Sequence, residues 1–344
     1  MKKVLIVGQG IAGTVLACTL QRHGVEVQIM DAGFPHSSSA AAAGVINPIT
    51  GKRYARSWLF DRLFPAAQVF YKQLEAEHGI QIWHDHVVER LLKTPEEINN
   101  WSLRCGMPEF SDWMSDVEDN GVWSPYIRPG FKIGRTRQAA RVNFPLLMQT
   151  LREKWVTEGN YQSQVFDFQL IAQYRAQYNL IVFCDGFRAQ QNPFFGHLQW
   201  QLSKGELLLI RFPAQAAPLP DQILKGKILV APVGDGLYWA GSNNVWNIED
   251  EMPTEQGGVF LREALYTMFE TLVEIVAHRA AVRPTVKDRR PYVGLHPDFK
   301  DIGIFNGMGS KGALLSPYWA EHFAQHLLEG TELDEEVDVR RIVR

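Results

Sequence analysis

The sequence predicts an α/β protein, α+β when the whole chain is considered, with about two domains. The length of 344 residues exceeds the roughly 100–200 residues of a typical domain. An apolar strand, a glycine-rich turn and a helix open the chain, an order typical of a parallel sheet. Further along, the stretches 206–210 and 237–241 have the aromatic and alternating composition of strands in a second, antiparallel sheet.

Residues 4–31 are predicted to form a strand, a helix and a second strand. Val4–Val7 is a continuous apolar run, as expected of a parallel strand buried on both faces. The helix that follows carries apolar residues and ends near Gly24, where a C-terminal cap is expected. Apolar residues then alternate from Val25 and predict a strand that ends at Asp31.

The turn between the first strand and the helix reads GQGIAG, a complete GxGxxG. Gly8 permits a tight turn, Gly10 allows a pyrophosphate to approach the backbone, and Gly13 lets the helix pack closely on the strand. Asp31 lies 18 residues after Gly13, near the ~20 at which an acid reaches the ribose hydroxyls, and this acid disfavours NADP. The pattern predicts a dinucleotide site, with a buried strand and a plain glycine turn as the alternative.

Composition argues against several other classes of protein. The formal net charge is −3, from 35 Lys and Arg against 38 Asp and Glu. A nucleic-acid partner is therefore not expected unless a local basic patch exists. The cysteines Cys18, Cys105 and Cys184 have neither disulfide nor metal-ligand spacing, which indicates a reducing compartment and no metal site.

The amino terminus superficially resembles a secretion signal, because two lysines precede an apolar run. Glycines interrupt that run, and the pattern continues into a helix end and a strand, so we favour a folded segment. No other stretch approaches the roughly 18 apolar residues that a membrane span needs. We expect a soluble, cytoplasmic protein without a membrane span.

Three later segments also have the composition of ligand-binding loops. Residues 37–54, SSSAAAAGVINPITGKRY, combine small residues with the cations Lys52 and Arg53. Residues 179–187 form an apolar strand that ends at Gly186. Residues 301–317, DIGIFNGMGSKGALLSP, predict a strand, a glycine turn and a helix start, whose free N–H groups stabilise negative charge.

The order of these motifs resembles the D-amino-acid oxidase and glycine oxidase family of FAD-dependent enzymes. The motifs are GxGxxG with its acid, SxxxAGxxxP, the strand ending in Gly, RPTxxDxxPxxG from Arg283, and GxGxxGxxLxP from Gly307. The resemblance spans nearly the whole chain. It implies a Rossmann-like FAD-binding domain of the glutathione-reductase type at 1–80, 140–200 and 275–344. It also implies a substrate domain with a mainly antiparallel sheet at 81–139 and 201–274.

The resemblance further implies FAD as cofactor. Noncovalent binding is expected, because Cys184 and His36 lie away from the positions where relatives attach their flavin. The expected cofactor-binding residues are Gly8, Gly10, Ile11, Ala12, Gly13, Asp31, Ala43, Gly44, Lys52, Arg53, Gly186, Gly307, Gly309, Ser310, Lys311 and Gly312. For Lys52 and Arg53, expected at the mouth of the flavin site, a solvated loop is the alternative.

The chemistry that the resemblance implies is oxidation of the C–N bond of an amino acid or secondary amine. A hydride passes from the substrate Cα to flavin N5, and O2 or an unknown acceptor reoxidises the flavin.

Arg283 matches the residue that binds the substrate carboxylate in the resembled family, a role suited to its planar guanidinium; a salt bridge is the alternative. Lys311 is expected to act electrostatically on the flavin or oxygen, unless it is simply exposed. Ser310 stands where glycine oxidase-like members have Arg.

Several alternatives stay open at this point. The enzyme could oxidise a 2-hydroxy acid or a modified uridine side chain of tRNA, or the chain could bind flavin without turnover. His84 and His86 are more simply sheet residues than metal ligands. Trp200, Trp239 and Trp246 fit either a pocket or the core. The apolar segment 260–276 fits either an oligomer interface or a buried helix, so the oligomeric state is undetermined.

Overall fold

The computed structural model describes residues 3–34, 36–213 and 218–342. The strands are β1 (Lys3–Val7), β2 (Glu26–Asp31), β3 (Val45–Ile46), β4 (Ile49–Thr50), β5 (Ala55–Arg56), β6 (Trp83–Leu92), β7 (Met114–Glu118), β8 (Lys132–Val142), β9 (Tyr161–Ser163), β10 (Leu180–Phe183), β11 (Ser203–Arg211), β12 (Ile223–Lys225), β13 (Leu229–Gly234), β14 (Leu237–Gly241), β15 (Glu274–Arg283), β16 (Tyr292–Leu295) and β17 (Ile302–Asn306). The helices are α1 (Ile11–Arg22), α2 (Ser38–Ala41), α3 (Phe60–His78), α4 (Pro95–Cys105), α5 (Phe144–Thr157), α6 (Ile171–Gln177), α7 (Glu255–Met268) and α8 (Gly312–Glu329).

In the described part of the chain, one sheet has six strands in the order β16-β17-β10-β1-β2-β9. Strands β1, β2, β9, β10 and β17 run parallel, and β16 pairs antiparallel with β17. The predicted strand, helix and second strand are confirmed as β1, α1 and β2. Gly24 follows the end of α1 with φ +75° and donates its N–H to the carbonyl of Gln21, as a helix end in the left-handed region requires.

A second sheet has nine strands among the described residues. The order is β15-β11-β14-β13-β12-β6-β8-β3, with β7 paired on β8. All of these pairs are antiparallel except β12 with β6. The expected fold class, a Rossmann-like domain beside a mainly antiparallel sheet, is confirmed.

The structure places two short stretches differently from the division expected from the motifs. The expected division puts residues 275–283 of β15 in the cofactor-binding domain. This strand instead pairs along its length with β11 in the antiparallel sheet. Strand β3 likewise pairs with β8 in that sheet. Both strands lie next to cofactor motifs in the chain. A motif does not determine which sheet a neighbouring strand joins. The remaining domain boundaries stay predictions.

The apolar amino-terminal run belongs to the core. Val4–Ile6 of β1 are fully buried, and every residue of α1 from Ile11 to Leu20 is buried. The cysteines Cys18, Cys105 and Cys184 are free thiols. Among the described residues, no helix has both the length and the apolar character that crossing a bilayer requires.

The segment 260–276 divides into the end of α7 and the start of β15. Leu261, Leu265 and Met268 on one face of the helix are buried in the core, whereas Tyr266 is 65% and Leu272 is 83% exposed. The helical part of this segment therefore packs into the core, as one of the two expected alternatives holds, and carries exposed apolar residues on its other face.

The packing of α1 on the glycine turn predicts the effect of adding a single methyl group. A Cβ at Gly13 would lie 1.9 Å from the carbonyl oxygen of Gly8, so Gly13→Ala forces α1 away from β1. We expect the melting temperature, measured by circular dichroism, to fall by roughly 5 °C or more.

Gly106→Ala is the matched control for this substitution. The nearest atoms to a Cβ there are 3.6 and 3.8 Å away, and the backbone has φ −75°, which alanine adopts readily. Its melting temperature should change by less than about 2 °C. Equal changes in the two variants would contradict the packing argument.

Candidate functional site

A cavity of about 1790 Å³ lies between the carboxyl ends of the parallel strands and one face of the antiparallel sheet. Most of the residues expected from the sequence line it. They are Gly8, Gly10, Ile11, Ala12, Asp31, Ala43, Gly44, Gly186, Arg283, Gly307, Gly309, Ser310, Lys311 and Gly312. The carboxyl edge of a parallel sheet is where ligands bind in folds of this type.

Glycines allow close approaches between elements at this edge. Gly8 has φ +104°, and a Cβ there would lie 2.5 Å from the carbonyl oxygen of Cys184 at the end of β10. Gly13 is absent from the cavity wall, because it faces the turn beneath α1. A Cβ at Gly312 would lie 2.7 Å from Ile11 Cγ2. The starts of α1 and α8 therefore lie together, and neither N-cap residue, Gly10 or Lys311, caps its helix with its own side chain.

Asp31 closes the glycine turn from the end of β2. Its Oδ2 accepts the Gln9 backbone N–H at 2.7 Å, and its Oδ1 accepts Gly33 N–H at 2.9 Å and the Tyr161 hydroxyl at 3.3 Å. A carboxylate offers about four lone-pair positions, so Oδ2, with one hydrogen bond, can accept another, and Asp31 lines the cavity. This acceptor beside the start of α1 and a glycine cradle fits the ribose and pyrophosphate of a dinucleotide.

Ser39 and Arg152 support the turn, and the sequence did not single them out. Ser39 Oγ accepts the Ile11 N–H at 2.9 Å. Arg152 Nε donates to Gln9 Oε1 at 2.6 Å, and its guanidinium lies 3.5 Å from Asp31. The serine tract was visible as a loop against a ligand, but Arg152 lies in an ordinary amphipathic helix, α5, and carries no motif.

Lys52 and Arg53 do not reach the cavity. They lie in the exposed turn that joins β4 to β5, and neither belongs to the cavity wall. A two-stranded hairpin directs its turn residues to solvent, and its strands carry Arg56 to the wall instead. Arg56 pairs there with Asp61 at 2.6 Å.

Arg283 ends β15 and extends across the neighbouring strand. A Cβ on Gly205 of β11 would lie 1.9 Å from Arg283 Nη2, so the guanidinium covers this glycine. It donates to Ser242 Oγ at 2.5 Å, Asn244 Oδ1 at 2.9 Å, and more distantly to Ser203 Oγ and the Asn243 carbonyl at 3.4 Å. Burial lowers the pKa of Arg283. Every partner recorded among the described residues is neutral, so no salt bridge balances this charge.

Lys311 occupies the cap position of α8. Its Nζ donates to Ser57 Oγ at 3.4 Å. Burial, followed by the charges of Arg290 and Arg289, lowers the pKa of Lys311. The lysine is therefore on the cavity wall and partly withdrawn from solvent, rather than a freely exposed side chain.

The cavity is more positive than the chain as a whole. Among the described residues that line it, nine are Lys or Arg and four are Asp or Glu, whereas the net charge of the chain is −3. Some of these cations have carboxylate partners. The cations without an ion-pair partner in the described part of the chain are the partly buried Arg90, Lys225, Arg283 and Lys311 and the exposed Arg289. Arg90 and Lys225 carry no recognisable motif and were missed from the sequence.

Asp185 and Cys184 lie at the end of β10 beside the glycine turn. Asp185 accepts the side-chain amides of Asn192 at 3.1 Å and Asn306 at 3.0 Å. Burial nevertheless raises the pKa of Asp185 to about 6. Burial also raises the pKa of the Cys184 thiol well above its usual value, which makes it a poor nucleophile.

The remaining candidates divide between cavity and core. Trp239 and Trp246 line the cavity, and Trp239 Nε1 donates to the Ala41 carbonyl at 2.8 Å. Trp200 instead packs edge-on against Tyr292. His84 and His86 lie on β6 with ring centroids 6.4 Å apart, and burial lowers the pKa of His86 to about 4.

The raised pKa of Asp185 predicts a pH-dependent stability. Because the folded state holds this proton more tightly than the unfolded state, folding stability is lost as pH rises from about 4 to about 6. Asp185→Asn removes that loss. In the cofactor-free protein we expect the variant to be more stable than wild type by up to about 2 kcal/mol at pH ~8, with a smaller difference at pH ~4.5. Urea denaturation at both pH values measures it.

Asp301→Asn provides a control with the opposite sign. Hydrogen bonds from Arg175 lower the pKa of Asp301, so its ionised form favours the folded state and the amide should be destabilising at pH ~8. The same pH trend in both variants would show that the effect does not come from Asp185.

The chain is similar to several proteins over nearly its full length. It is 25% identical to a glycine oxidase of Pseudomonas putida, over 96% of this chain and 95% of that protein. It is 24% identical to a tRNA 5-methylaminomethyl-2-thiouridine biosynthesis bifunctional protein of Marinobacter nauticus, over 99% of this chain. The chain spans 58% of the length of that relative.

Solved structures share the fold. The iminodiacetate oxidase of Chelativorans sp. BNC1 superimposes with a TM-score of 0.77 at 18% identity, covering 97% of this chain and 98% of that one. The glycine oxidase of Geobacillus kaustophilus also gives 0.77, at 20% identity, with 97% and 96% coverage. The family model described as FAD dependent oxidoreductase matches residues 3–326. Together with the glycine cradle, this match shows that the chain is a member of the FAD dependent oxidoreductase family and that its cofactor is FAD.

Proposed function

We propose that this enzyme oxidises the C–N bond of an amino acid or related secondary amine, and that Arg283 binds the substrate carboxylate. The observation that carries the proposal is the state of that guanidinium. It is half-buried, held by neutral partners, and lies on a cavity wall opposite the helix starts that fit the cofactor. A partly desolvated cation without a counter-ion is favourable only where an anion completes it.

The relatives are consistent with such a substrate. Glycine and iminodiacetate, named in the descriptions of similar proteins, are both amines that carry a carboxylate. Sequence identities of 25% and 18% do not assign a substrate to this chain. The residues of its own cavity therefore have to support the proposed substrate.

The residues around Arg283 suit the binding of a small carboxylate amine. The two short hydrogen bonds of the guanidinium use one N–H on each terminal nitrogen. The second N–H on each makes only a long contact of 3.4 Å, so these weakly held donors and the Nε–H can turn to a carboxylate. Leu207, Trp239 and Ala281 lie on the same wall and would exclude water beside the reacting C–H bond. FAD, held noncovalently by the glycine cradle and Asp31, supplies hydride acceptance when bound.

Lys311 is the second residue of the proposed machinery. It adds a positive charge at the start of α8, where the helix dipole has the same sign. Together they form a wall suited to stabilising negative charge that develops on a flavin bound against it.

Oxidation of a modified tRNA side chain is a second candidate. The similarity to the tRNA-modifying bifunctional protein and the excess of Lys and Arg in the cavity favour it. The electron acceptor is left open by both proposals.

The first experiment follows the visible absorption of the FAD-loaded protein without oxygen while candidate substrates are added. We expect one or more amino acids or secondary amines to bleach the flavin. Bleaching by 2-hydroxy acids alone, or by unfractionated tRNA alone, would replace the proposal with the corresponding alternative. A flavin that none of these reduces would indicate a binding protein without turnover.

Arg283→Ala tests the carboxylate interaction with the amine that bleaches best. We expect KM to rise roughly 100-fold, because a charge-assisted interaction of about 2–3 kcal/mol is lost, with partial recovery in Arg283→Lys. Arg279→Ala is the control, since Arg279 lies on the same strand but is exposed and outside the cavity. Steady-state kinetics measures the constants, and an unchanged KM in Arg283→Ala would remove this residue from substrate binding.

A further inference from the structure

We propose that Lys225 and Arg90 form a second anion-binding subsite, and that the substrate is an amine with a further carboxylate or phosphate group besides the carboxylate at Arg283. The inference rests on the proposed function for the position of the first carboxylate. It adds the class of substrate that the cavity selects.

The two cations are neighbours by sheet register. Lys225 on β12 pairs directly with Arg90 on β6, so their side chains leave the same face of the sheet from strands about 4.8 Å apart. Both side chains line the cavity. The register therefore places two positive charges side by side on its wall.

Neither cation has a counter-ion among the described residues. Arg90 lies over the Tyr54 ring at 5.1 Å. Glu97 is the acid whose charge acts on Arg90, but its carboxylate accepts the backbone N–H groups of Lys93 at 2.8 Å and Thr94 at 3.2 Å. For Lys225 the structure records no carboxylate partner.

Two neighbouring, partly buried cations destabilise the folded protein unless an anion binds between them. Burial lowers the pKa of both groups, and with the neighbouring charge of Arg90 it brings that of Lys225 to about 8. Like charges on directly paired residues destabilise a sheet, and desolvation adds to the cost. A bound carboxylate or phosphate would offset both costs, since its oxygens would accept hydrogen bonds from two cations at once.

The second subsite lies too far from Arg283 for one carboxylate to contact both. Lys225 lies four strands from Arg283 in the order β15-β11-β14-β13-β12, about 19 Å across a flat sheet. Through the paired residues, Lys225 aligns with Arg279, so Arg283 lies a further ~13 Å along its strand. Sheet twist and the long side chains shorten this gap, but one carboxylate cannot contact both positions. The second anion therefore lies at the far end of the substrate.

Calorimetric titration of the FAD-loaded protein with dicarboxylates tests the proposal without turnover. The probes are succinate, adipate and suberate, each compared with the monocarboxylate of equal length, namely butyrate, hexanoate and octanoate. In wild type we expect at least one dicarboxylate to bind roughly tenfold or more tightly than the monocarboxylate of equal length. In Lys225→Met and in Arg90→Met that ratio should fall below about threefold, and Lys225→Arg should restore it.

Lys227→Met is the matched control. Lys227 lies two residues away in the same hairpin, is exposed and is outside the cavity, so the same chemical change there should leave the ratio intact. The ω-phosphonocarboxylate with the chain length of the preferred dicarboxylate distinguishes the sources, because tighter binding of the phosphonate assigns a phosphate and tighter binding of the dicarboxylate assigns a carboxylate. A wild-type ratio near one at every length, or a ratio unchanged in both Met variants, would overturn the proposal.

The same titrations separate this proposal from the proposed function. If Arg283→Ala leaves butyrate binding unchanged while Lys225→Met abolishes the dicarboxylate preference, the carboxylate role of Arg283 is wrong and the second subsite stands. If Arg283→Ala abolishes butyrate binding and neither Met variant alters the preference, the first site stands and the second is wrong.

Discussion

The close contact between two helix starts at one edge of the parallel sheet is the constraint on which the site depends. Gly8, Gly13 and Gly312 stand where a Cβ would overlap a neighbouring atom at 2.5, 1.9 and 2.7 Å. Only a residue without a side chain lets α1 pack onto β1 and α8 pack onto α1. The N–H groups of both helices consequently face the same cavity, which suits an anionic cofactor.

The antiparallel sheet forms the opposite wall of the cavity, because alternate side chains along each strand point to the same face. On β11 the residues that line the cavity are Ser203, Gly205 and Leu207, and on β15 they are Ala281 and Arg283. This period of two is a property of strands, so the same rule that buries one face of the sheet in a core presents the other to the substrate. Small residues on this face leave room for the long side chain of Arg283.

Charge distinguishes the cavity from the rest of the molecule. Elsewhere, cations such as Arg175 and Arg341 have carboxylate partners at 2.5 and 2.9 Å, and these pairs serve the fold. In the cavity, five cations lack such partners among the described residues, and four of the five are partly buried, although burial makes an unpaired charge expensive. These unpaired charges lie on the wall of the cavity, where an anionic ligand would bind. In a chain of net charge −3, this local excess would also draw anionic molecules toward the cavity.

The sequence by itself determined the opening β1, α1 and β2 unit, the glycine turns, the acid at Asp31 and the family, because each depends on residues that are close together in the chain. It also identified Arg283, whose neighbours form a motif. It placed Lys52 and Arg53 near the cofactor, whereas the hairpin of β4 and β5 directs them to solvent. Only the tertiary structure brought Arg90 beside Lys225, joined β15 to the antiparallel sheet and set Arg152 against the glycine turn. Those contacts depend on strand order and register, which are set by packing summed over whole sheets and helices and leave no signal in any short stretch of sequence.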